Sequence, residues 1–147
     1  MKLLSLALIS ILLFSSSLRA EPTKEWLTNF VAASETARKV DASDKDIENY
    51  LAMMADDLLD VHVQYNVQFE GKEPLRKGLY TKRETMISVE ESIEDMILGT
   101  DTAVIVVNET SSYYKREQVR NFKGRTIFVL HFNENGLVKE MRRYLHQ

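Results

Sequence analysis

The chain opens on an apolar run, Leu3 to Phe14, broken only by Ser5 and Ser10; Met1-Lys2 precedes it and Ser15-Ser16-Ser17-Leu18-Arg19-Ala20 follows. At about 12 residues the run is well short of the roughly 20 that span a bilayer. A basic start, a short apolar centre and small residues at its end form a signal-peptide pattern. Residues 1–20 are therefore expected to be removed, with cleavage after Ala20 and Ser17 as the competing position. Beyond them the apolar spacing turns helical. Trp26, Phe30, Ala33, Ala37 and Val40 form one stripe that Thr23 can cap, predicting a helix over about residues 23–41. Ser43-Asp44-Lys45-Asp46 has capping-box form, and Ile47, Tyr50, Leu51, Met54 and Leu58 predict a second helix ending near Leu59.

The period then drops to two. Val61, Val63, Tyr65, Val67 and Phe69 alternate with polar residues up to Gly71, predicting a strand. Pro74 suits a first helical turn, and Leu75, Leu79, Met86 and Ile87 predict a third, shorter helix, which Gly78 weakens by about 1 kcal/mol relative to Ala. Strands are expected over 89–98, 102–115, 125–132 and 137–145, separated by turns at Gly99-Thr100-Asp101 and Asn133-Glu134-Asn135-Gly136. Helices first and hairpins afterwards predict an α+β fold with an antiparallel sheet.

Composition narrows the function classes. A chain of 147 residues with 44% hydrophobic residues, 5 Gly and 2 Pro predicts one globular domain, residues 21–147, after the signal segment. The absence of Cys excludes disulfide scaffolds, thiolate metal sites and Cys nucleophiles, and it suits an oxidising compartment. No HExxH, phosphate-cradling Gly-rich loop or nucleophile elbow is present, so neither metal nor cofactor is expected. Net charge is −3; loss of Lys2 and Arg19 leaves 17 basic against 22 acidic residues, a charge of −5. An acidic exported chain, periplasmic or secreted, is a poor candidate for nucleic acid. Once the signal is cleaved, no membrane contact is expected.

The order of elements, with the Met54-Ala55-Asp56-Asp57 segment and the run from His131 through Asn133-Glu134-Asn135-Gly136-Leu137-Val138 to Glu140, resembles the SnoaL-like branch of the nuclear transport factor 2-like superfamily. The resemblance spans residues 21–147. It implies a cystatin-like cone, in which a strongly curved sheet wraps the helices and leaves a pocket at its open end. Such proteins include cyclases, steroid isomerases, dehydratases and members without assigned reactions, so fold alone names no chemistry. The isomerases of that superfamily use a carboxylate base, a Tyr and a protonated Asp. The resemblance places His62 at the base, Phe30 at the Tyr and Phe128 at the acid; two of these cannot donate a hydrogen bond, which argues against isomerase chemistry.

His62 is the sharpest catalytic candidate, as a neutral imidazole can act as a base near neutrality. Asp57 and Asp60 are placed to orient it or to act themselves. If Val61, Val63 and Tyr65 face the core, His62 faces away; a one-residue change of register reverses this. Trp26, Phe30, Tyr50, Met54, Tyr65 and Phe128 are candidates for a ligand-binding lining, although such residues at this spacing also suit a core. Lys115, Arg116, Arg120, Lys123 and Arg125 form a basic cluster, joined by Arg142 and Arg143, that suits a solvated hairpin end or an anion-attracting rim. The leading expectation is an exported domain that binds a small apolar or amphipathic ligand, or a protein, without catalysis. A SnoaL-like acid–base enzyme using His62 and an Asp is the alternative. Apolar residues in both phases of the long strands predict a homodimer through the outer sheet face, with His131 near the contact.

Overall fold

The computed structural model describes residues 21–146; the expected signal peptide lies outside the described residues. Thr23 caps helix α1 (Lys24–Arg38), its Oγ1 accepting from the Trp26 N–H at 3.0 Å. Lys39 is extended, so the helix stops before Val40, which is exposed instead of completing the apolar stripe. Ser43 and Asp46 form the expected reciprocal capping box of α2 (Asp44–Leu51).

Helix α2 does not continue to Leu59: residues Met54–His62 form strand β1. A spacing of four, as between Met54 and Leu58, serves one helical turn and two strand pleats alike, so both readings bury this pair. The strand expected over 61–69 is also broken. A 3₁₀ turn (Val63–Tyr65) and left-handed Asn66, at φ 50°, reverse the chain into β2 (Val67–Glu70), which pairs antiparallel with β1. Asn is among the few residues that tolerate this conformation. Val63, Tyr65, Val67 and Phe69 are accordingly exposed.

Pro74 sits in the first turn of α3 (Glu73–Thr85), and Met86 and Ile87 begin β3 (Met86–Leu98) instead of ending the helix. Strands β4 (Thr102–Lys115), β5 (Gln118–Phe132) and β6 (Val138–His146) follow. The β4–β5 ladder is continuous from Thr102↔His131 to Lys115↔Gln118, well past the expected start of β5 at residue 125. Its two-residue turn holds Arg116 and Glu117 at φ 51° and 63°, without the Asn-Gly signature of such turns. The long ladder carries a turn that its residues locally disfavour.

The sheet order is β2-β1-β6-β5-β4-β3, and every pairing is antiparallel except β1–β6. Irregularities in β1, β3 and at the β5–β6 junction bend the strands, and the sheet curls around the helices without closing. This is the expected α+β cone. Leu27, Phe30, Ile47, Met54, Leu130 and Phe132 fill one end of its concave face. Trp26 stacks on Phe30 at 5.5 Å and meets Phe132 edge-on at 5.0 Å. Burying a side chain such as Phe30 contributes about 2–3 kcal/mol.

Candidate functional site

The inward face of β4 changes character along its length. Ala103, Ile105 and Val107 are buried in the core, and the same alternation then brings in Glu109, Ser111 and Tyr113. On β5 the inward series runs from Leu130 and Phe128 to Thr126, Gly124 and Phe122. The Phe122 ring lies over Gly124, where a Cβ would collide with it. At this level the packed interior gives way to a cavity of about 680 Å³. Helix α3 supplies one wall with Leu75, Gly78, Leu79 and Lys82, one stripe at helical spacing.

Two ionic clusters border the cavity. Arg38, from the last turn of α1, donates through Nη1 to Glu109 Oε2 at 2.9 Å, and its Nη2 lies 2.5 Å from Glu91 Oε1. Ser111 Oγ donates to the other Glu109 oxygen at 2.8 Å. Arg38 and Glu91 are almost wholly buried, and among the described residues Arg38 Nε and Glu91 Oε2 have no hydrogen-bond partner. Burial pushes the Glu91 carboxyl above its ordinary value; Arg38 pulls it down and Glu109 pushes it further up. The buried Tyr50 hydroxyl is pushed up to about 12, chiefly by desolvation.

The second cluster joins β1 to β6. Arg143 Nε donates to Asp60 Oδ1 at 3.0 Å while its Nη2 meets Oδ2, forming a two-point fork on a carboxylate only 1% exposed. His62 Nε2 stands 3.5 Å from the same Oδ2, and its ring meets Phe69 edge-on at 5.9 Å. Burial alone would raise the Asp60 carboxyl, but His62 and Arg143 outweigh it and hold the group below the ordinary carboxylate value. Lys82 projects into the cavity from α3, open to cavity solvent yet enclosed by protein. Desolvation, with Arg38 and Arg143 nearby, lowers its amine to about 8.

Of the residues singled out in the sequence, His62, Asp60, Tyr50, Tyr65 and Phe128 border the cavity. Trp26, Phe30 and Met54 do not: they pack in the closed end, where their helical or four-residue spacing meets the core. Asp57 is exposed and outside the cavity. His62 shares the inward phase with Leu58 and Asp60, because the chain turns before Val63 and Tyr65 can set the register. Arg143 enters the site, whereas Arg125 pairs with Glu94 and Arg142 with Glu140. His131 faces away from the core, its Nδ1 3.2 Å from Thr102 Oγ1.

Sequence reasoning missed Arg38, Lys82, Glu91 and Glu109. Two of them, Arg38 and Glu109, leave a trace. Leu27, Val31, Ser34 and Arg38 fall on one helical stripe, so a charge sits on a buried face. Glu109 continues the apolar alternation Ile105, Val107 on a strand. Among the described residues no group of three or more His, Asp or Glu is placed to hold a metal ion.

No protein-family model and no curated protein matches the chain. Solved structures do. A candidate SnoaL-like polyketide cyclase from Shewanella putrefaciens CN-32 superposes with a TM-score of 0.66 at 13% identity, over 81% of this chain and 88% of that one. A nuclear transport factor 2-like protein of unknown function from Exiguobacterium sp. 255-15 gives 0.68 at 9% identity, over 82% and 98%. A candidate isomerase from Rhodopseudomonas palustris gives 0.64 at 17% identity, over 81% and 87%. These likenesses establish architecture, and the chain has the fold of SnoaL-like, nuclear transport factor 2-like proteins.

Proposed function

We propose that the protein is an exported domain that binds a small amphipathic molecule in the open end of the cone. The observation that carries this reading is the cavity of about 680 Å³, with apolar walls from α3 and β5 and ionic groups from β1, β3, β4 and β6. Concave sites of this size with a few placed polar groups suit small molecules. The neutral fluorescent probe N-phenyl-1-naphthylamine tests it. Saturable binding is expected, lost when Thr126→Trp fills the cavity from β5. Absence of saturable binding, or binding indifferent to Thr126→Trp, overturns the reading. Export is tested separately: processed material is expected to begin at Glu21, and a chain still starting at Met1 refutes it.

One observation favours a second reading, acid–base catalysis: His62 lies beside an ionised Asp60 at the cavity wall. A carboxylate there can orient the imidazole as a base toward an acidic C–H. Phe30 and Phe128 offer no donor to an enolate, so a β,γ-unsaturated ketosteroid is expected to turn over no faster than background. Turnover lost in His62→Ala would establish the enzyme reading instead.

For assembly we propose a homodimer through the outer sheet face. Val104 lies opposite Val129 and Val106 opposite Ile127, a contiguous apolar patch that is only half-buried. Sedimentation at micromolar concentration is expected to give a dimer, and Val129→Asp a monomer. A monomeric wild type, or a dimer unmoved by that substitution, refutes this interface.

A further inference from the structure

We infer that the ligand carries one anionic group, which ion-pairs with Lys82 Nζ while its apolar body lies along the α3 wall. This rests on the binding reading above and deepens it. The cavity's own charges lead to it. Arg38 from α1 holds Glu91 of β3 and Glu109 of β4, and Arg143 of β6 holds Asp60 of β1 with both arms of its fork. His62 of β1 stands beside Asp60, and Tyr50 of α2 keeps its proton. Each carboxylate bordering the cavity thus already faces an arginine. Lys82 forms no hydrogen bond or ion pair among the described residues; of the cavity-lining cations it shares this only with Lys115, which sits at the exposed β4–β5 tip, so Lys82 is the unpaired cation on the α3 wall.

The electrostatic surroundings of that amine agree. Arg38 and Arg143 push the amine down more strongly than Glu109 and Glu91 push it up. An anion would relieve both this repulsion and the lost hydration. The mouth adds to the field. Lys115 borders the cavity and, with Tyr113, also borders a second hollow formed with Arg116, Gln118 and Arg120 at the β4–β5 tip. A basic mouth on a chain of net charge −3 focuses anions at one place. Shape sets the rest of the ligand. The stripe from Leu75 to Lys82 is about 10 Å long at a 1.5 Å rise per residue. Leu75 and Leu79 line the cavity together with Phe122, Phe128 and Leu145, an apolar surface for a body of about that length.

The test uses two probes that share one apolar body and differ in charge: 1-anilinonaphthalene-8-sulfonate and N-phenyl-1-naphthylamine. At neutral pH the sulfonate is expected to bind about tenfold more tightly than the neutral amine. Lys82→Met is expected to bring the two affinities together, and Lys82→Arg to keep them apart. Above about pH 9.5 wild type is expected to lose the preference, since its amine deprotonates, while the arginine variant retains it. Equal binding of both probes to wild type overturns the anionic assignment and leaves the binding reading standing. A preference that survives Lys82→Met but vanishes in Lys115→Met places the anion on the rim and also overturns it. Failure of both probes to bind removes the binding reading itself.

Discussion

The two ends of the cone are built from the same strands and solve opposite problems. At the closed end β4 and β5 present Ala103, Ile105, Leu130 and Phe132, and stability comes from packing them against α1 and α2. At the open end the same inward positions carry Glu109, Ser111 and Thr126, while Arg38, Asp60 and Arg143 sit on neighbouring elements. Packing is forgiving of pH and intolerant of volume. Ion pairs are the reverse: their geometry leaves room for a cavity, but every charge depends on its partner. The fold can therefore keep a rigid base beneath a site rich in charge, because the strands run without interruption through both.

The largest effects should separate the ends by pH rather than by size. Phe30→Ala at the closed end and Arg38→Met at the open end are each expected to lose about 3–5 kcal/mol at neutral pH. Urea unfolding should find the Phe30 loss nearly unchanged at about pH 5, whereas the Arg38 loss shrinks. The sign follows from the carboxylates. Burial already raises the Glu91 carboxyl and Arg38 pulls it down, so without Arg38 this carboxyl titrates further above the ordinary 4.5 that it has when unfolded; the penalty grows above that value and is relieved as Glu91 protonates. Equal pH profiles for the two variants would erase the distinction between the ends.

Asp60→Asn comes next, at about 2–3 kcal/mol, because it leaves the Arg143 guanidinium half-enclosed without a counter-charge. Asp60 has its carboxyl below the ordinary 3.8, so its contribution is complete above that value and is lost as pH falls through the lower folded value. Acid unfolding should accordingly be less steep in Asp60→Asn than in wild type. Lys82 works in the other direction: its amine, at about 8 against an ordinary 10.5, destabilises the empty protein below pH 8, an effect relieved as pH rises between those values. Lys82→Met is expected to raise the thermal midpoint at neutral pH while losing the anion preference, and a lowered midpoint would count against the crowding of cations there.

The smallest effects probe volume. A Cβ at Gly78 meets nothing within 4 Å, so Gly78→Ala is expected to stabilise by about 0.5–1 kcal/mol through helix propensity. Ala103→Val in the closed core, which adds comparable bulk, should instead cost about 1–3 kcal/mol. The same pair of melting curves with the signs exchanged would mean that the cavity is closed and the core loose.

Local chemistry accounts for the parts that were legible in the sequence. The Ser43–Asp46 capping box, Pro74 at the start of α3 and the Asn133–Gly136 turn each act within a few residues, and all are present as expected. The β-branched run of β4 and the alternation around Phe128 and Leu130 placed the long strands, and the helices-then-hairpins order implied the α+β class. His62 and Asp60 were identifiable as chemistry-bearing residues by type alone.

Tertiary structure decided the rest, for identifiable reasons. Met54 and Leu58 are four apart, a spacing common to helix and strand, and only pairing with β6 and β2 made residues 54–62 a strand. The reversal at Asn66 put His62 inward, and no periodicity within residues 61–69 announces it. Lys115-Arg116-Glu117-Gln118 carries no turn signature, yet the ladder above it holds the hairpin shut. The ionic site has the widest origin. Arg38 meets Glu109 across 71 positions and Arg143 meets Asp60 across 83. A charge on a buried face can be recognised from spacing along the chain, but its partner cannot, because the partner is chosen by which strands lie side by side once the sheet has curled.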